Sequence, residues 1–266
     1  MHQGLEGEWS LQQLDPPVSS AESTPVAAVV ARLPGDNLHA LLEAGAVKDP
    51  YFADNELALQ WIGRASWRFS RSFTCDRQTA SRRYHYLHLE SVDTAAVVSL
   101  NGHEVARQEN MFHPVRADVT GLVSEGENTI DVHIAGPETR AREKAAALPY
   151  PVPHQHYPVQ SPHRNLLRKV QCHSGWDWGP ALMVSGLYGD LYLGATDRER
   201  IESVRVFTAP TEPPAERARE WALTLSVALY AFEAGPVRIE AALRDPQGEA
   251  PVATVRRTVE VPTGRS

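Results

Sequence analysis

The sequence predicts an all-β protein assembled from antiparallel β-sandwiches. Three observations carry this. Apolar and polar residues alternate at period two in run after run, as strands with one buried and one wet face require. Turn-forming residues punctuate those runs. No regular alternation of strands with helices appears, which excludes a parallel α/β fold.

In chain order, the first clear element is a helix: Asp36 caps DNLHALLEAG, in which Leu38, Leu41 and Leu42 form an apolar stripe and Gly45 a stop. WRFSRSF is a strand with Trp67, Phe69 and Phe73 on one face and Arg68, Ser70 and Ser72 on the other. AAVVSLNGHEV sets Asn101-Gly102 between two strand-like runs, a strong hairpin signal. In TIDVHIA, Ile130, Val132 and Ile134 oppose Thr129, Asp131 and His133. A charged, Arg- and Ala-rich stretch from about Glu138 to Ala147 predicts a second helix. It leads into YPVPHQHYPVQSPHRN, too long and aperiodic for a hairpin connection, hence a functional loop or a disordered one.

Composition breaks after Gly194, which predicts one domain over residues 1–195 and another over 196–266. ATDRERIESVRVFTAP opens a new strand set, and TEPPAERARE is a proline-rich polar loop. WALTLSVAL alternates through Trp221, Leu223, Leu225, Val227 and Leu229, which are expected to face a core. Pro246, Gln247 and Gly248 close a hairpin between VRIEAAL and the run around Val255. About four strands follow residue 196, whereas an immunoglobulin-like sandwich needs ~7. The second domain is therefore expected to be cut short, with edges that invite aggregation.

Composition excludes several functions. At 42% hydrophobic and 22% charged residues, the chain of 266 is an ordinary globular sequence, long enough to bury a core without disulfides. A formal charge of −7 argues against nucleic acid and against an anionic membrane surface. Cys75 and Cys172 stand far apart and are expected to be half-buried free thiols. No basic-then-apolar leader opens the sequence and no apolar run is long enough to span a membrane, so a cytoplasmic protein is expected. Four of the eleven histidines lie between His154 and His173, including His154-x-His156. The intervening prolines and the lack of a Cys or carboxylate partner at finger spacing disfavour zinc, so neither metal nor cofactor is expected. G-x-S-x-G and H-E-x-x-H are absent, which removes the common serine-hydrolase and zinc-protease readings.

The most unusual segment is RKVQCHSGWDWGP, Arg168 to Pro180, where Trp176 and Trp178 flank Asp177 and Gly175 and Gly179 flank all three. A sugar needs an aromatic plane for its C–H face and a charged acceptor for its hydroxyls. An extended Trp-Asp-Trp would point both rings away from the acid, so the glycines suggest a turn that approaches another element closely. The segment reads either as a sugar-binding turn or as two core tryptophans around a structural Asp. A second segment, Asp49 to Phe69, gathers Asp54, Asn55 and Glu56 beside Tyr51 and Phe52. Taken alone it reads as side chains shaping a turn.

Together these segments resemble the β-mannosidases of the glycoside hydrolase family that also holds β-galactosidases and β-glucuronidases. The residues that carry the resemblance are Pro34-Gly35, Asp49-Pro50-Tyr51, Asn55-Glu56, Trp61, Gly63-Arg64 and Trp67, then SVDTAAVVSLNG, ENMFHPVRADVT and RK-x-Q-x-H-x-GWDWGP. It runs from about Trp9 to Leu193, and it implies a jelly-roll-like, galactose-binding-domain-like sandwich followed by an immunoglobulin-like domain. It further implies a carboxy-terminal TIM barrel with two catalytic glutamates acting with retention. No (β/α) repeat follows residue 200, so that barrel is expected to lie outside this chain, which would be inactive alone. By resemblance, Asp177 grips a hydroxyl of a terminal mannose of a β-mannoside or oligosaccharide. Trp176 and Trp178 frame it, with Asn55 and Arg168 as supporting residues. The competing reading is a stand-alone, non-catalytic carbohydrate-binding sandwich.

Overall fold

The computed structural model describes residues 1–14, 26–154, 162–211, 220–248 and 250–265. His156 and most of the proline-rich loop TEPPAERARE lie outside the described residues. The chain divides into two compact units, Met1–Ala195 and Thr196–Ser266.

The first unit opens with strands β1 (His2–Gly4), β2 (Gly7–Gln13), β3 (Val29–Leu33) and β4 (Gly35–Asp36), then helices α1 (Asn37–Glu43) and α2 (Asn55–Ala58). Strand β5 (Trp67–Cys75), helix α3 (Arg77–Ala80) and strands β6 (Tyr84–Asp93), β7 (Ala96–Leu100), β8 (His103–Gln108), β9 (Val115–Asp118) and β10 (Gly126–Ile134) follow. Helix α4 (Pro137–Ala147) and strand β11 (Gly186–Thr196) complete it. Two antiparallel sheets result: β3-β2-β5-β10-β7-β8, and β1-β11-β6-β9 with β4 added to β11.

Local chemistry accounts for the elements. Asp36 accepts a hydrogen bond from the His39 N–H at 2.9 Å and so caps α1. Gly45, at φ 65°, ends the helix in the left-handed conformation that glycine supplies without strain. Asn101 and Gly102, at φ 50° and 80°, make the tight hairpin between β7 and β8. The Asn101 side chain also donates to Leu122 O and Asn128 Oδ1 and accepts from the Thr129 N–H, each at 2.8 Å.

The period-two faces meet between the sheets. Trp67, Phe69, Ile130, Val132 and Ile134 from one sheet and Leu87, Leu89, Leu191 and Leu193 from the other form the centre of the core. Phe69 sits opposite Leu11 on β2 and Val132 on β10. Cys75 is buried, but Cys172 is exposed, contrary to the expectation of two half-buried thiols. Strand alternation places Cys75 inward, whereas Cys172 lies on the outer side of a short 3-10 turn whose buried residue is Ser174.

The second unit holds β12 (Glu199–Pro210), β13 (Trp221–Ala231), β14 (Gly235–Arg244), β15 (Pro251–Val261) and β16 (Gly264–Arg265). They form a sheet β12-β13-β16 and a hairpin β14-β15. Its small core gathers Leu229, Ala231, Val237 and Val261, with Val227 and Ile239 packed against it. Trp221, Leu223 and Leu225 were expected to face a core and are instead exposed. Alternation fixes which side a residue faces, and no described residue of this unit covers that side. Val204 and Val206, exposed as well, pair with Val227 and Leu225 and extend the apolar face.

An uncovered face of this kind binds apolar probes. The native chain is expected to enhance the fluorescence of anilinonaphthalene sulfonate at neutral pH. A Val206→Lys/Leu225→Lys variant should lose most of that signal. An unchanged signal would place the accessible apolar surface elsewhere.

Candidate functional site

The Trp-Asp-Trp segment is built as two limbs and a tip. The outgoing limb begins with a 3-10 turn at Arg164–Leu166, runs along Asn110 through a bridge at Arg168, and passes through a second 3-10 turn, Gln171–Ser174. The tip is a tight turn in which the Gly179 N–H donates to Trp176 O at 3.2 Å. The returning limb, Ala181 to Ser185, enters β11.

Gly175 makes this path feasible. Its φ is 93°, and a Cβ there would lie 2.2 Å from Ala181 Cα and 2.7 Å from Pro180 O. The two limbs therefore touch backbone to backbone, the close approach that the flanking glycines suggested. Gly179 has open space at the same test and serves only the turn.

The tip is presented to solvent. Trp176 is 43% exposed and Trp178 76%, so the reading as two core tryptophans is set aside. Asp177 is exposed too, and its carboxylate has no hydrogen-bond or ion-pair partner among the described residues. An aromatic plane beside a free, charged acceptor is chemically suited to a polyol: C–H groups on the ring, hydroxyl protons to the oxygens. A carboxylate this open is also fully hydrated. Alone it would bind weakly, and it gains strength only where a second surface excludes water.

Neighbouring groups hold the limbs. Arg164 donates to Gln171 O at 3.0 Å and Gly175 O at 3.2 Å, and its guanidinium lies 5.7 Å from the centre of the Trp176 ring. Gln60 donates to Ala181 O at 2.8 Å, tying the Asp49–Phe69 segment to the returning limb. Gly63 lies against Met183, where a Cβ would come within 2.9 Å of Met183 Cβ.

Behind the tip is a buried charged cluster. Lys169 donates to Asp93 Oδ2 at 2.8 Å, and both side chains are fully buried. His173 Nδ1 lies 3.2 Å from the same oxygen, and the Thr94 hydroxyl donates to Asp93 Oδ1. Burial alone would push the Asp93 carboxyl up. The bond from His173, the charge and bond of Lys169 and the Thr94 hydroxyl outweigh it and hold Asp93 below the usual carboxylate range. Burial, with Asp36 and Asp93 nearby, pushes the Tyr188 hydroxyl up.

The other sequence-derived candidates have different surroundings. Asn55 starts α2 and donates from Nδ2 to Asp49 O at 2.8 Å, so its side chain shapes the Asp49–Asn55 turn. Arg168 is exposed, and its recorded bonds are those of its backbone, including Met111 N–H to Arg168 O at 3.0 Å. No hydrogen bond joins either residue to Asp177 among the described residues. The inward cation of the pair is Lys169, which sequence reasoning passed over together with Asp93 and Arg164. One signal was available: an acid between Val92 and the apolar run Ala95 to Val98 can stay charged only if a buried partner meets it.

The sandwich and its turn define a class. Residues 9–189 match the family described as Glycosyl hydrolase 2 galactose-binding domain-like, and the chain belongs to that family. Its curated relatives include β-mannosidases. It is 32% identical over 169 residues to the β-mannosidase of Capra hircus and 34% over 196 residues to β-mannosidase B of Aspergillus terreus, covering 62% and 72% of this chain. The crystal structure of the β-D-mannosidase from Dictyoglomus thermophilum matches with a TM-score of 0.79 and 27% identity, covering 100% of this chain and 30% of that one. The chain spans 19% and 22% of the length of the two curated relatives. The family resemblance and the all-β, sandwich architecture expected from the sequence are both borne out.

Proposed function

We propose that the chain is the sugar-gripping amino-terminal portion of a retaining β-mannosidase, and that Asp177 accepts hydrogen bonds from hydroxyls of the terminal mannose. The observation that carries this reading is the Asp177 carboxylate, without a partner among the described residues, on an exposed turn between Trp176 and Trp178. In this reading the turn forms one wall of the active site. The two glutamates that protonate the leaving group and attack the anomeric carbon belong to a TIM barrel further along a longer polypeptide. The length of the relatives supports that placement. The second unit is then the opening of an immunoglobulin-like domain.

The reading is tested at two levels. The chain by itself should release no phenol from an aryl β-mannoside. In the longer enzyme, Asp177→Ala should lower kcat/KM by the equivalent of about 1.5–3 kcal/mol, the worth of a hydrogen bond to a charged group. An unchanged kcat/KM would make Asp177 structural. A stand-alone carbohydrate-binding module remains the rival, favoured by the self-contained core of the first unit. Measurable, Asp177-dependent mannose binding by residues 1–195 alone would decide for it.

A further inference from the structure

The cluster behind the tip has one notable connectivity. Apart from Thr94, which adjoins Asp93 in sequence, every recorded side-chain partner of Asp93 comes from the Trp-Asp-Trp segment: Lys169 and His173. Lys169 also donates to Val184 O at 3.1 Å, on the returning limb. The Val184 N–H in turn donates to His173 O at 3.4 Å. Lys169 is thus the node where the end of β6, the outgoing limb and the returning limb meet, and the tip that carries Asp177 is slung between those limbs.

A buried ion pair is a weak way to gain stability, because well-packed apolar residues of similar volume do as well or better. What it does supply is direction. A fully desolvated ammonium tolerates few arrangements of its acceptors, so the positions of Asp93 Oδ2 and Val184 O are coupled to each other. We infer that Lys169, with Asp93 as its counter-charge, is a positioning residue for Asp177: the pair fixes the presentation of the carboxylate without touching sugar. This rests on the reading of Asp177 as a sugar ligand, and the test separates the two.

The experiment uses the full chain and the double variant Lys169→Met/Asp93→Asn, which removes both charges and strands neither. Amide hydrogen exchange is followed at Gly175, Gly179 and Val184 and, for reference, along β5 and β10. The loop amides are expected to exchange about tenfold faster or more, the loss of a charge-assisted bond, while β5 and β10 keep their protection. In the longer enzyme, kcat/KM for an aryl β-mannoside should fall by a similar factor in the double variant. Asp177→Asn is measured beside it. This variant should lower kcat/KM and leave loop exchange untouched; if kcat/KM is unaffected, the sugar reading fails while the loop exchange still decides the role of the pair. Wild-type loop exchange in the double variant overturns the inference. So does loss of protection in β5 and β10 together with the loop, since the pair would then hold the sandwich itself.

Discussion

Gly175→Ala is expected to displace the Trp176–Gly179 turn while leaving the sandwich folded. Two independent penalties meet at this residue. Its φ of 93° lies where a side chain is strained, which costs about 1–3 kcal/mol. The added methyl would also stand 2.2 Å from Ala181 Cα, so backbone rather than a flexible side chain has to yield. The limbs must part, and with them go the Arg164 bond to Gly175 O and the cation–π contact of Arg164 with Trp176. Gly179→Ala is the control, with nothing within 4 Å of the new methyl and no positive φ. Fluorotryptophan NMR reads the result, because the chain has six tryptophans distributed over distinct sites. The Trp176 and Trp178 resonances should shift and sharpen in Gly175→Ala, while those of buried Trp9 and Trp67 stay in place. Six unmoved resonances would show that the limbs absorb a methyl group, and the close approach would lose its importance.

The parts of the molecule legible in the sequence are those written in local chemistry. Alternation in β5 and β10 identified the inner faces, the Asn101-Gly102 pair located its hairpin, and Asp36 its helix. Each needs only a few neighbouring residues and a backbone preference. The buried cluster was not legible in that way. Asp93 and Lys169 are 76 positions apart, and no periodicity states that a turn late in the first unit brings them together. Of the adjacent cations Arg168 and Lys169, only one can face inward, and outside a regular strand or helix nothing in the sequence says which. Trp221, Leu223 and Leu225 mark another boundary. Their alternation records a face made to be covered, but coverage is a property of a second layer and does not reside in the strand. The Trp-Asp-Trp turn fell between these cases. The glycines indicated a close approach, yet only coordinates showed that Gly175 makes it and Gly179 does not.

Phe69→Ala should be among the most damaging single truncations in the first unit, and it tests whether turn and sandwich are separable. Phe69 is fully buried on β5, between β2 and β10, so its removal leaves a cavity lined from both neighbouring strands and from the facing sheet. Phe-to-Ala changes at such sites cost about 3–5 kcal/mol, because the lost transfer energy is compounded by a hole that the packed surroundings fill only in part. That is a large share of the roughly 5–15 kcal/mol by which a typical domain is stable. Phe207 on β12 is 56% exposed, and Phe207→Ala should stay within about 0.5 kcal/mol. Urea unfolding followed by far-UV circular dichroism measures both. The contrast with Gly175→Ala carries the argument: Phe69→Ala should shift the main unfolding midpoint strongly and leave the native tryptophan spectrum of the tip intact, whereas Gly175→Ala should do the reverse. A Phe69→Ala loss below about 1 kcal/mol would mean that the two sheets are held together elsewhere than at β5, contrary to the core described above.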